Sequence, residues 1–128
     1  MHEPSDEIAE EVAAEYPGIR YERVLVDALC ARMVRAPDSL DVIVASNLFA
    51  DILTDLAAAL QGGMGMAASA NLAPDTDSPG LFEPVHGSAP DIAGQGIANP
   101  AGAIWSAALL LQHLGESAAS AALMTALE

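Results

Sequence analysis

The stretch from Asp41 to Gly65, DVIVASNLFADILTDLAAALQGGMG, constrains the fold more than any other part of the chain. It opens on Val42-Ile43-Val44, a β-branched apolar run of the kind that forms a buried strand. Asn47 is placed to cap a following helix. Leu48, Phe49, Ile52, Leu53, Leu56 and Leu60 then recur at helical spacing and give one apolar stripe. The pattern predicts a strand over 41–45 and a helix over 47–60, broken by Gly62-Gly63-Met64-Gly65.

Asp51 and Asp55 lie four residues apart and stack on one face of that helix, away from the stripe. Two carboxylates this close repel unless a cation sits between them or water screens them. From spacing alone two readings stand. The pair is the solvated side of an amphipathic helix, or it is half of a divalent-metal site. Hard cations such as Mg²⁺ take carboxylate oxygens at about 2.0–2.1 Å and keep positions for water or substrate.

The rest of the chain carries weaker signals. Ser5 to Tyr16 reads as a helix capped by Ser5, with Ile8, Val12 and Ala13 as its apolar stripe and Pro17-Gly18 as its stop. Arg20 to Val26 reads as a strand and Asp27 to Arg35 as a helix ending before Pro37. Asp27 fits a cap or first-turn acid. Met66 to Leu72 suits a short strand, and 73–80 is a surface loop. From Leu81 the chain is turn-rich. Ser88-Ala89-Pro90-Asp91 suits a capping box for a short helix closed by Gly94 and Gly96. Asn99-Pro100 opens a helix over 101–114 that is apolar nearly all round, a pattern that needs burial. Gly115 ends it, and a last helix occupies 116–128. The glycines at 62–65 are not a dinucleotide GxGxxG after a strand, and no Gly-Lys follows for a phosphate loop.

Composition bounds the partners. Among 128 residues, 18 acids face four arginines and no lysine, for a net charge of −14. Nucleic acid and anionic membrane are poor partners for such a surface, since both bind through Lys and Arg. No apolar run reaches the roughly 18 residues of a membrane span, and no leader peptide is evident. The single Cys30 has no internal disulfide partner, as expected in a reducing cytoplasm.

Two long segments, SNLFADILTDL and LFEPVHGSAPDIAGQGIANP, closely resemble the β-decarboxylating dehydrogenases. That family includes isopropylmalate, isocitrate, homoisocitrate and D-malate/tartrate dehydrogenases. LCARMV followed by DVIVASNLF is most similar to the D-malate/tartrate branch, with isopropylmalate the runner-up substrate. The resemblance implies an α/β fold, a partial isopropylmalate-dehydrogenase-like one with a mixed sheet flanked by helices. Residues 1–61 would belong to the smaller metal-binding and dimerisation domain, and 62–128 to the C-terminal part of the nucleotide-binding domain.

The resemblance also implies roles. Asp51 and Asp55 would ligate Mg²⁺ or Mn²⁺, and Asp27 would reach the site of the neighbouring subunit, which makes a homodimer obligatory. His86, Gly87, Ser88, Ala89, Asp91, Ile92 and Asn99 would wrap the adenosine half of NAD. Without the resemblance, His86 is an ordinary loop histidine, Asp91 and Asn99 are caps, and the glycines are turn glycines. A carboxylate at Asp91 accepts from both ribose hydroxyls and repels a 2′-phosphate, which favours NAD over NADP.

The implied reaction is oxidation and decarboxylation of a 2-hydroxy dicarboxylic acid. The family's lysine base is not in this lysine-free chain, and its catalytic tyrosine and substrate arginines fall upstream of the matching region. The chain is therefore expected to correspond to the second half to last third of a subunit and to lack turnover alone. Two positions depart from the family pattern. Ala50 replaces a glycine and Gln95 replaces a lysine. Competing readings are a non-catalytic truncated paralogue with a structural or regulatory role, and a generic acidic helical binding module.

Overall fold

The computed structural model describes residues 4–73 and 78–128, with the side chains of Pro4 and Ser5 outside that description. The side chain of the expected cap Ser5 and residues 74–77 of the 73–80 loop therefore lie outside that description. The element order is α1 (Pro4–Glu15), α2 (Val26–Arg35), α3 (Asn47–Leu60), β1 (Ala68–Asn71), β2 (Leu81–Pro84), α4 (Ala101–His113) and α5 (Ser117–Leu127). Single 3₁₀ turns occupy Pro37–Ser39 and Met64–Met66. The chain divides into two compact units, Met1–Leu53 and Thr54–Glu128. No helix among the described residues is long and apolar enough to cross a membrane.

In the first unit the buried side chains are Leu29 and Met33, one turn apart on α2, and Leu53. Arg32, on the same helix as the first two, ties together the segments on either side of it. Its Nε donates to Ser39 Oγ at 2.8 Å and its Nη2 to the Ser39 carbonyl at 2.9 Å. Its Nη1 donates to Glu22 Oε2 at 2.9 Å. The turn after α2 and the segment before it thus share one guanidinium, whose fork makes three bonds at once. Arg23 pairs with Asp6 of α1 at 2.6 Å. Of the expected α1 stripe only Ala13 is half-buried, together with Ala9, while Ile8 and Val12 are exposed.

Neither expected strand of this unit forms. Residues 20–25 and 41–46 carry no ladder, and Val26 already belongs to α2. The backbone at Leu25 is extended, with φ −70° and ψ 145°. Val42 and Val44 are 83% and 86% exposed. β-branched residues favour extended backbone, but a strand also needs a neighbour to bond, and the described residues supply none.

In the second unit β1 and β2 form an antiparallel pair in the register Ala68↔Pro84 to Asn71↔Leu81. β2 falls where turns were expected. α4 packs across both strands and the 64–66 turn, and α5 packs on α4. The buried positions of α4 are its small residues, Gly102, Ser106 and Ala108. The large ones, Ile104, Trp105 and Leu109, are half-buried, so the helix is not enclosed all round as its composition suggested. Small residues let backbones approach. A Cβ on Gly102 would stand 2.8 Å from the Ala67 carbonyl oxygen. Ser120 Oγ of α5 donates to the Ala108 carbonyl at 2.8 Å, satisfying a buried hydroxyl across the two helices.

Two helix ends are set by glycines. Gly63 N donates to Ala58 O and Gly62 N to Ala59 O, with both glycines at positive φ. Glu116 N to Leu111 O and Gly115 N to Gln112 O repeat the motif after α4. Both are Schellman ends. The start of α3 differs from expectation. Ser46 O accepts from Ala50 N, so Ser46 occupies the cap position and Asn47 is the first helical residue. The short helix expected after Ser88 is a series of turns over 90–96.

Two outcomes test this packing. Gly102→Ala drives a methyl into backbone rather than into a movable side chain, and overpacking of this kind costs about 1–3 kcal/mol. Its urea midpoint should fall, whereas Gly18→Ala, with nothing within 4 Å of the new methyl, should not move. Equal midpoints would refute the close approach. Arg32 beside Glu22 holds that carboxyl below its ordinary 4.5, first by the hydrogen bond and then by charge. A depressed acid contributes stability above its unfolded pKa and loses it as pH falls through the folded one. In an NMR titration Arg32→Ala should therefore raise the Glu22 midpoint toward 4.5.

Candidate functional site

The carboxylates singled out by the sequence lie on two helices. Asp27 is the second residue of α2, exposed, two positions from buried Leu29 and so on the opposite side of the helix. Its Oδ1 accepts from Ala28 N at 2.8 Å. It is a first-turn acid and not the cap, which is Leu25. An anion there is favoured by the helix dipole.

Asp51 and Asp55 are both exposed on α3, one turn apart, on the side opposite buried Leu53. Asn47, one turn earlier, points its Nδ2 at Asp51 Oδ2 over 3.4 Å. Amide, carboxylate and carboxylate thus run up one face of the helix. No ion pair among the described residues engages Asp27 or Asp55, because the arginine contacts go to Asp6 and Glu22. Among the described residues no three His, Cys, Asp or Glu side chains converge into a metal-holding group. The donors that do stack are oxygen only, which suits a hard divalent ion rather than a thiophilic one.

The second group lies between β2 and α4. Val85 N donates to Ala67 O at 3.1 Å and extends the hairpin by one bond. His86 comes next, half-buried, with Nδ1 2.9 Å from the Gly87 carbonyl oxygen. Gly87 and Ser88 are exposed. Ala89 sits at φ +42°, a left-handed conformation uncommon outside glycine. It starts a tight turn in which Ile92 N donates to Ala89 O and Gln95 N to Ile92 O. Gln95 Nε2 donates to the Asp91 carbonyl at 2.6 Å. That bond holds the Asp91 backbone while its carboxylate stays exposed. Six of the seven expected nucleotide residues, His86 to Ile92, are thus on one continuous turn-rich segment.

Asn99 stands apart, just before α4. Its Oδ1 accepts from Ala101 N at 3.0 Å, satisfying an N–H at the start of the helix. Its Nδ2 donates to Met66 Sδ at 3.1 Å. Pro100 is the formal cap, since its carbonyl accepts from Ile104 N.

Sequence reasoning missed three contributors here: Met66, Gly102 and the bond from Gln95 to Asp91. A glycine in the first turn of an otherwise apolar helix is a readable signal of close packing. The sulfur contact of Met66 has no sequence signal.

Residues 3–128 match the family model described as isocitrate/isopropylmalate dehydrogenase. The chain is 55% identical over 123 residues to a probable tartrate dehydrogenase/decarboxylase of Agrobacterium vitis, covering 96% of this chain and 34% of that protein. It is 56% identical over 119 residues to a 3-isopropylmalate dehydrogenase of Rhodococcus opacus, covering 93% and 35%. The crystal structure of an isocitrate dehydrogenase from Methylococcus capsulatus superposes with a TM-score of 0.81 at 52% identity, over 89% of this chain and 33% of that one. The chain spans about a third of the length of these relatives. Matched by one family over nearly its whole length, and sharing its α/β arrangement of helices and a small sheet with a solved relative, the chain belongs to the isocitrate/isopropylmalate dehydrogenase family.

Proposed function

We propose that this chain supplies metal-binding and adenosine-binding groups to an NAD-dependent dehydrogenase that oxidises and decarboxylates a 2-hydroxy dicarboxylic acid, D-malate or tartrate. The observation that carries the reading is the exposed, oxygen-only pair Asp51 and Asp55 on α3 of a chain in this family. The branch rests on the wording of LCARMV and DVIVASNLF and on the tartrate-type relative. The Rhodococcus relative keeps 3-isopropylmalate as the second reading. In the net reaction a hydride leaves the substrate's C2 for the nicotinamide, and the carboxylate on C3 departs as CO₂.

Asp51 and Asp55 hold Mg²⁺ or Mn²⁺ from one subunit of a homodimer, and Asp27 of the partner subunit completes the ligand set. A divalent ion held there supplies Lewis-acid polarisation of the substrate's 2-oxygen. Asp91, fixed through its backbone by Gln95, accepts from both ribose hydroxyls of NAD. Gly87 to Ala89 bring main chain up to the ribose and phosphates, and His86 packs beside the adenine. The chain holds no lysine, so it contributes binding and orientation rather than the proton-transfer base. A reducing cytoplasm is the proposed setting, in keeping with the single Cys30.

Two experiments on the intact dimeric enzyme test this. Its kcat/KM should favour NAD over NADP. Asp91→Ala should cut the NAD value roughly tenfold or more, the scale of lost bonds to a charged acceptor, while sparing NADP. A preference for NADP would overturn the role of Asp91. Metal sharing is tested by mixing subunits. Asp27→Asn and Asp55→Asn homodimers should each lose Mn²⁺ affinity. A mixed dimer of the two should regain one of its two sites, because one site then draws Asp55 and Asp27 from the unaltered positions. No recovery on mixing would refute a site shared between subunits.

A further inference from the structure

Met66 stands in an unusual position. The turn at Met64–Met66 is brought against the start of α4 by two glycines. A Cβ on Gly65 would lie 3.0 Å from Asn99 Cβ, and one on Gly102 would lie 3.0 Å from the Gly65 carbonyl oxygen. With neither side chain present, Met66 Sδ reaches within 3.1 Å of Asn99 Nδ2. The opposite end of the same amide is fixed by Ala101 N at 3.0 Å. The two contacts are complementary, since a backbone N–H requires the amide oxygen and a thioether sulfur accepts from the amide nitrogen. Together they define which way the amide faces.

Resting on the nucleotide reading above, we propose that Met66 is a positioning residue for cofactor recognition, its sulfur locking the Asn99 amide so that the second Nδ2 hydrogen is presented to an acceptor nitrogen of the adenine ring. The hydrogen count permits this. An amide nitrogen has two hydrogens, and Met66 takes one. The oxygen is committed to α4, so Asn99 offers the nucleotide a donor. A base with an acceptor nitrogen at that edge is selected, and one presenting an N–H there is not. Methionine suits the task because its flexible thioether can bend toward the amide and accept a weak bond from it. Leucine has nearly the same volume and no acceptor.

The test uses the intact enzyme and two readouts. NAD affinity is measured calorimetrically for wild type, Met66→Leu, Asn99→Ala and the double variant. The Asn99 side-chain amide is followed by ¹H–¹⁵N NMR without nucleotide. Met66→Leu should weaken NAD binding about threefold, the low end of one neutral hydrogen bond. It should shift the Asn99 Nδ2 resonances and leave the melting temperature nearly unmoved. Asn99→Ala should weaken NAD at least as much, and the double variant should bind no worse than Asn99→Ala alone, the non-additivity expected of residues acting through one another. If Asn99→Ala weakens NAD while Met66→Leu changes neither affinity nor amide resonance, the locking role is refuted and the nucleotide reading stands. If Asn99→Ala leaves NAD affinity unchanged, the nucleotide reading of Asn99 fails, and the locking role with it. Additive losses would show that Met66 acts independently of Asn99 and would also overturn the proposal.

Discussion

Gly65 and Gly102 carry no side chains, and the second unit is built on the close approach this permits. With Gly102 in the first turn of α4, the helix lies almost on the Ala67 carbonyl, so the hairpin and the helix meet backbone to side-chain-free backbone. That contact fixes both ends of the segment between them. Its start is held by β2, paired to β1, and its end by the first turn of α4. The turns from His86 to Gly96 are therefore strung between two anchored points, and local bonds such as Gln95 to Asp91 need only shape the interior. A loop so held loses less freedom on meeting a ligand than one tethered loosely, which is the physical content of preorganisation.

Charge distribution makes a complementary point about α3. The protein is strongly acidic, yet among the described residues the ion pairs seen do not engage Asp27 or Asp55: Arg23 meets Asp6, and Arg20 and Arg32 meet Glu22. Asp27 has a local reason to exist, since a first-turn carboxylate is stabilised by the helix dipole. Asp51 and Asp55 sit mid-helix, outside the first turn that the dipole favours, where like charges one turn apart destabilise by a few tenths of a kcal/mol. The Asn47 amide, at 3.4 Å, is a weak partner for one of them. A pair that lowers helix stability and faces outward in an acidic protein creates a negative potential well suited to a cation.

The helices and the placement of the site residues on them were legible because their signals are local. Repeating Leu and Ile positions gave α3, and glycines at 62–63 and 115 gave two Schellman ends at the expected places. Spacing alone put Asp51 and Asp55 on one face. Which residue caps α3 was less legible, since Ser46 and Asn47 are both good caps and adjacent. β2 was missed because Leu81-Phe82-Glu83-Pro84 is short and ends in proline, a residue that weakens strand assignments. The capping-box reading of Ser88 to Asp91 failed for a related reason. A box needs helical backbone after it, and Ala89 at positive φ followed by Gly94 and Gly96 turns the chain instead.

The segments at 20–25 and 41–46 separate two things that hydrophobic patterning tends to merge. A β-branched run biases each residue toward extended dihedrals, and that bias acts whether or not anything lies beside it. The alternation survives: Val42 and Val44 are almost wholly exposed, whereas Ile43, pointing the other way, is 40% exposed. A strand is a relation between two runs, however, and its identity depends on backbone partners that no local pattern names. Helices escape this dependence because their bonds close within the segment, so the same sequence signals locate α3 and leave the neighbouring run with no ladder among the described residues. The carboxylate face of α3 is thus placed by local forces alone, independently of the run that leads into it.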